Sequence, residues 1–166
     1  MKQTFTSRQT SVNCARAPAI YGMKKAIEIM KDKYVIDIGG GKYDTAIEVA
    51  KKYNSEVSIY DPFNRSVEHN RMVLAGIYDV AVISNVLNVI DNKEARADVL
   101  RTAAGLAETI LITVYEGDRT GKGKQTGIDS WQENRCTSDY VDEIRNALGL
   151  YDVIRCGKLI IATFKY

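Results

Sequence analysis

Residues 35–41 read Val-Ile-Asp-Ile-Gly-Gly-Gly, an apolar run that stops abruptly in three glycines. An apolar run of this length, bounded by turn residues, predicts a buried strand. Beyond it Tyr43, Ala46, Ile47, Ala50 and Tyr53 recur at helical spacing, which predicts a helix over about 43–54. A strand that turns through glycine into a helix leaves backbone N–H groups open, with no side chain to keep a ligand away. That geometry suits a nucleotide-like ligand and embeds the motif in a sheet with helices packed on it.

The rest of the chain repeats the alternation. Pro18 opens a helix in which Ile20, Met23, Ile27 and Met30 form one apolar stripe. A second strand around Val57 and Ile59 ends at Asp61-Pro62, and a third β-branched run covers 78–84. A helix is predicted at about 92–107, where Asp91 and Glu94 have the spacing of an N-cap and its reciprocal partner. A strand at 109–115 follows, and then a polar stretch, 116–136. Val141, Ile144 and Leu148 mark a last helix that Gly149 terminates. Residues 151–155 and 158–164 are two strands around Gly157, joined too closely to be parallel. The fold class expected is α/β: a mostly parallel sheet covered on both faces and finished by an antiparallel C-terminal hairpin.

The chain of 166 residues is read as a single domain over 1–166, with residues 1–16 as an N-terminal arm that lacks periodicity. The net charge of +2 selects no partner. Cys14, Cys136 and Cys156 form no close pair, and His69 is the only histidine, so neither a disulfide framework nor a zinc site is expected. No apolar run is long enough to cross a membrane and Met1 to Asn13 is polar, so the location expected is the cytoplasm.

Several ligands compete for the glycine turn. A dinucleotide fingerprint requires a third glycine at position 44, where Asp44 stands, and a carboxylate there would repel a phosphate. No GK[ST] follows, which argues against a P-loop. A cationic ligand without phosphate fits better, and S-adenosylmethionine is one: Asp37 could balance its amino group while the glycines let the backbone approach. Asp61, about 20 residues on, stands where an acidic residue accepts both ribose hydroxyls. Each signal alone also suits an ordinary turn. In Ser84-Asn85-Val86-Leu87-Asn88-Val89-Ile90, Val86 and Leu87 either lie against an adenine or belong to the core.

These stations in order, Asp37-Ile38-Gly39-Gly40-Gly41, Tyr60-Asp61-Pro62 and Ser84 to Ile90, resemble class I S-adenosylmethionine-dependent methyltransferases. More narrowly, the chain resembles small phage and bacterial methyltransferase-like proteins, including the type associated with DNA phosphorothioation. That group shares the Asp-Pro, the Asn-Val-Leu-Asn-Val-Ile element and a late segment matched here by Gln132-Glu133-Asn134-Arg135-Cys136-Thr137. The resemblance implies a three-layer αβα, Rossmann-like methyltransferase sheet with S-adenosylmethionine as cofactor. Asp37, Gly39 and Gly41 would hold the methionine portion, Asp61 the ribose, and Asn85, Val86 and Leu87 the adenine side. Only residues 62–77 separate Asp61 from the next strand, so the third strand of a full methyltransferase sheet is expected to be missing. No Asn-Pro-Pro-Tyr-like element and no Pro-Cys nucleophile is present.

Methyl transfer from a sulfonium is an in-line displacement, so a general base is optional. Candidates on strand-end loops are Glu116 and Tyr115, then Asp118, Gln132, Arg135, Arg8, Gln9 and Thr10. Glu116 is either a proton acceptor or a solvated loop carboxylate. Arg119, Lys122, Lys124 and Arg135 are either a basic lid that meets phosphates or a solvated loop. Cys136 reads as an ordinary thiol and His69 as a surface residue. The function expected is methyl transfer to a nucleic acid or a small polar acceptor. A methyltransferase-like binding protein without catalysis is the alternative, and a nicotinamide-dependent oxidoreductase is disfavoured by Asp44.

Overall fold

A computed structural model describes residues 3–8 and 16–166; Gln9, Thr10 and Cys14 lie outside the described residues. Four parallel strands come first: β1 (Tyr34–Ile38), β2 (Glu56–Tyr60), β3 (Val80–Ser84) and β4 (Thr109–Thr113). A separate antiparallel hairpin follows, β5 (Lys124–Gly127) with β6 (Ser130–Gln132). Then β7 (Tyr151–Cys156) turns through Gly157, at φ 64°, into β8 (Leu159–Phe164). The main sheet has the order β2-β1-β3-β4-β8-β7, with β8 antiparallel to both β4 and β7. This is the expected mostly parallel sheet with its antiparallel finish. Among the described residues no strand lies beyond β2, and one helix, α3 (Val67–Leu74), makes the crossover to β3.

Alternate strand residues feed two cores. Ile36, Ile38, Ala81 and Ile83 pack with Leu100 of α4 (Lys93–Ala104) and with Ile144 and Leu148 of α5 (Val141–Leu148). Val35, Val57, Val80 and Val82 pack on the other face with Ala26 and Met30 of α1 (Lys24–Met30) and Ala46 and Ala50 of α2 (Thr45–Ala50). Burying each large aliphatic side chain contributes about 1.5–3 kcal/mol, and a strand covered on both faces secures its register this way. Asp37 points to the α1/α2 side, a carboxylate in an apolar layer.

Three local expectations are corrected. The helix-opening cap is Asn92, whose side chain accepts from the N–H groups of Glu94 and Ala95; Asp91 instead accepts from Thr4 N–H at 3.0 Å. Pro18 precedes a short 3₁₀ turn, Ala19–Gly22, and α1 starts only after it, burying Ala26 and Met30 rather than Ile27. His69 lends Nε2 to the Ile59 carbonyl at 2.7 Å, covering part of the open edge of β2. No helix among the described residues is long and apolar enough to cross a membrane.

Candidate functional site

The chain leaves β1 and passes to β2 on one side, then to β3 on the other, so β1 and β3 flank a topological switch point. In such sheets the crevice outside the carboxyl ends of the strands takes ligands. Here it is a cavity of about 460 Å³, walled by the turns after β1, β2 and β3, by the N-terminal arm and by one side of α4.

Its floor is the glycine turn. Gly39 and Gly41 have φ of 78° and 77°, a region L residues rarely occupy. A Cβ on Gly39 would also come within 2.5 Å of Val86 Cγ2, so the approach of this turn to the loop after β3 requires glycine. The next loop braces the turn. Asp61 Oδ2 accepts Gly41 N–H at 2.9 Å, and Oδ1 accepts the N–H groups of Phe63 and Asn64 and the Asn64 amide. Arg65 donates to the carbonyls of Gly41 and Tyr43 and pairs with Asp44 at 2.8 Å. The Gly41 N–H is therefore occupied, and Asp44 is engaged by Arg65 rather than aimed at a ligand.

Asp37 is 1% exposed and takes the Tyr21 hydroxyl on Oδ2 at 2.7 Å. Its other oxygen has no hydrogen-bond partner among the described residues. A Cβ on Gly40 would lie 3.2 Å from that Oδ1, which places the carboxyl directly beneath the glycine turn. Burial pushes Asp37 up to about 6, against the stabilising bond from Tyr21. Burial, and then the neighbouring carboxylate, also raises Tyr21 and takes Tyr53 to about 12, so both stay protonated.

Of the expected ligand residues, Gly39, Gly41, Asp61, Asn85 and Val86 line the cavity. Asn85 is exposed there at φ 57°, pinned by its N–H to the Thr113 carbonyl at 2.9 Å. Neither Asp37 nor Leu87 is among the residues that line it; Asp37 lies beneath the glycine turn, and the 3₁₀ turn Leu87–Val89 tucks the Leu87 side chain, fully buried, into the α4/α5 core. Phe63, 38% exposed, and Tyr43, Lys42 and Arg16 line the cavity without having been singled out. Phe63, two residues after Asp61, carried a readable signal. Arg16 carried none, because only tertiary folding brings it there.

The catalytic candidates fall elsewhere. Neither Tyr115 nor Glu116 is among the residues that line the cavity. Glu116 Oε1 accepts both the N–H and the hydroxyl of Thr137 at 2.9 Å, and Oε2 pairs with Arg119 at 2.8 Å. The Thr137 hydrogen bonds hold its carboxyl down at about 2, which unsuits it as a proton acceptor at neutral pH.

The cations of the basic stretch are mostly paired. Lys124 pairs with Asp118 at 2.9 Å, and Arg135 pairs with Glu143 at 2.7 Å while lying over the Tyr140 ring. Of the four cations named, Lys122 alone makes no ion pair among the described residues. The late Gln-x-Asn-Arg segment is scaffolding. Gln132 meets Asn88 and the Tyr115 carbonyl, Asn134 holds the Lys122 carbonyl, and buried Arg96 joins Glu143 and Glu133 to the Ile90 carbonyl. This docks the β5–β6 hairpin against the loop after β3.

The N-terminal arm closes one side. Asp129, in the hairpin turn, accepts the N–H and hydroxyl of Thr6 and, through its carbonyl, the Ser7 N–H. The Ser7 hydroxyl donates to the Val89 carbonyl, and Phe5 stacks on Trp131 with ring centres 5.6 Å apart. The arm is thereby stitched to both sides of the crevice.

No protein-family model matches the chain, and no curated protein sequence matches it. Solved structures do. The 1,6-didemethyltoxoflavin-N1-methyltransferase of Burkholderia thailandensis, crystallised with 1,6-didemethyltoxoflavin and S-adenosylhomocysteine, aligns with a TM-score of 0.64 at 15% identity, over 90% of this chain and 80% of its own. Magnesium protoporphyrin IX methyltransferase from Synechocystis PCC 6803, with bound S-adenosylmethionine, gives 0.56 at 17% identity, over 96% and 80%. A possible histamine N-methyltransferase of Thermotoga maritima gives 0.55 at 11%, over 96% and 92%. The chain has the Rossmann-like, class I fold of these S-adenosylmethionine-dependent methyltransferases.

Proposed function

We propose that the chain is an S-adenosylmethionine-dependent methyltransferase acting on a small polar molecule. The observation that carries the reading is a buried carboxylate, Asp37, with one oxygen unpartnered directly beneath a positive-φ glycine turn at the floor of the cavity. Holding an ionised carboxylate in that layer is costly unless a cation joins it. The ammonium of the cofactor's methionine portion is that cation. Asp61, with four donors already on it, braces the glycine turn, and the lone pair left on Oδ2 serves a ribose hydroxyl. Phe63 and Val86 offer apolar surface to the adenine, and Asn85 a polar edge.

The bound cofactor would supply an electrophilic methyl group for in-line displacement by an acceptor lone pair, with the carbon–sulfur bonding pair left on the thioether sulfur and the acceptor's proton released to water. With Glu116 and Tyr115 outside the cavity, alignment and exclusion of water supply the rate. A nucleic-acid acceptor loses support because Arg119, Lys124 and Arg135, the cations that would meet phosphates, are engaged within the chain.

Calorimetric titration with S-adenosylmethionine, S-adenosylhomocysteine and NAD tests this. Binding of the first two, and not of NAD, is expected. Absence of binding by both would refute the reading.

A further inference from the structure

We infer that the methyl acceptor carries an anionic group, a carboxylate or a phosphate, bound by Arg8, Arg16 and Lys42 at the mouth of the cavity; this rests on the methyl-transfer reading above. All three are exposed and line the cavity. None makes an ion pair among the described residues. Lys42 lies only over the Tyr43 ring, 5.1 Å from its centre. Arg8 is within electrostatic reach of Asp129, whose carboxylate already holds Thr6.

The acidic groups in the same wall are engaged elsewhere. Asp61 takes four N–H donors from the turns it braces, with a lone pair left only on Oδ2, and Asp98 is bound to Arg101 at 2.6 Å. Arg119, Lys124 and Arg135 are paired within the chain, whereas Arg8, Arg16 and Lys42, which like Lys122 have no ion pair among the described residues, share one cavity.

The cofactor does not neutralise them. S-adenosylmethionine brings a sulfonium, an ammonium and one carboxylate, a net positive ligand whose ammonium Asp37 takes. Its carboxylate occupies one cation at most. The others draw in the second substrate, and complementary charge both steers it and fixes its register. Val89, Ile90 and Val99 in the same wall favour an apolar body behind the anionic group.

The test titrates the full chain, saturated with S-adenosylhomocysteine, with phenyl phosphate, benzoate and benzylamine. The variants are the pair Arg8→Gln with Lys42→Gln, and Arg16→Gln alone. The two anions should bind the wild type and benzylamine should not. Each cation removed from the anion's grip should weaken phenyl phosphate about tenfold. Because the cofactor's carboxylate takes one cation at most, no more than one of the two variant proteins should lose affinity for S-adenosylhomocysteine. Failure of both anions to bind the loaded wild type, or equal binding by every variant, would overturn the inference. Loss of S-adenosylhomocysteine affinity in both the Arg8/Lys42 pair and Arg16→Gln would overturn it too, by assigning the cations to the cofactor. An oligothymidine strand that binds more tightly than phenyl phosphate would replace it with a nucleic-acid acceptor. Failure of S-adenosylhomocysteine itself to bind, seen before any anion is added, would instead refute the methyl-transfer reading.

Discussion

Replacing Asp37 with asparagine separates what the buried carboxylate costs the fold from what it gives a ligand. Burial moves this group from 3.8 to about 6. A group whose pKa is raised on folding contributes stability below its unfolded pKa and loses it as pH rises through the folded one. The native state is therefore favoured by Asp37 at pH near 4 and penalised above about 6. Each pKa unit is worth about 1.36 kcal/mol, so the wild type loses about 3 kcal/mol from this site between about pH 3 and about pH 8. Asparagine keeps an acceptor for the Tyr21 hydroxyl and cannot ionise. Any fixed cost of its buried amide is the same at every pH. The difference in unfolding free energy between Asp37→Asn and wild type should thus shift by about 3 kcal/mol in favour of the variant from about pH 3 to about pH 8. Urea unfolding of both proteins at steps of pH measures it, and their difference cancels every other titrating group. The same substitution should abolish the gain that a bound ammonium provides, so S-adenosylhomocysteine should bind the variant at least tenfold more weakly. A stability difference that stays flat with pH would show that Asp37 titrates as an ordinary carboxyl, and the argument from its burial would fall.

Gly39→Ala forces an L residue to φ 78° and a Cβ against Val86, so it should cost about 1–3 kcal/mol in denaturant unfolding and prevent cofactor binding. Asp61→Ala orphans the N–H groups of Gly41, Phe63 and Asn64 together; unfolding should show a loss of about 2 kcal/mol or more, against the simpler expectation that this position affects only the ligand. Glu116→Gln should leave methyl transfer intact, since Glu116 lies outside the cavity. Because its carboxyl is held at about 2 in the fold, the stability it contributes is present above 4.5 and lost as pH falls towards 2. The variant should accordingly lack that part of the acid unfolding transition, as followed by circular dichroism.

The architecture was legible because it is written in local periodicity. Alternating β-branched runs, a glycine turn and helical spacing after it are properties of neighbouring residues, and they specify strand, turn and helix without knowledge of partners. The crossover of 62–77 was legible from length alone, and the close turn at Gly157 forced the antiparallel finish. The stations at Gly39, Gly41, Asp61, Asn85 and Val86 were readable because each directly follows a strand, and parallel strands bring their carboxyl ends together.

What only the tertiary structure decided is which polar groups are spent on one another. Sequence places Glu116, Arg119, Lys124 and Arg135 in one polar stretch that reads as reactive or basic; folding pairs Glu116 with Thr137, Lys124 with Asp118 and Arg135 with Glu143, consuming their charges in the scaffold. Leu87 and Val86 are indistinguishable as neighbours in sequence, yet a 3₁₀ turn sends one into the core and leaves the other at the cavity. In the sequence Arg8 is one candidate among several, and Arg16 and Lys42 are unremarkable surface cations. Arg8 meets Lys42 of the glycine turn at one cavity mouth because the arm is stitched to the hairpin and to the loop after β3 by Asp129 and Val89. Secondary structure follows from short-range sterics and periodicity, whereas the chemistry of a charged side chain depends on its distance to every other charge, and only the folded chain sets those distances.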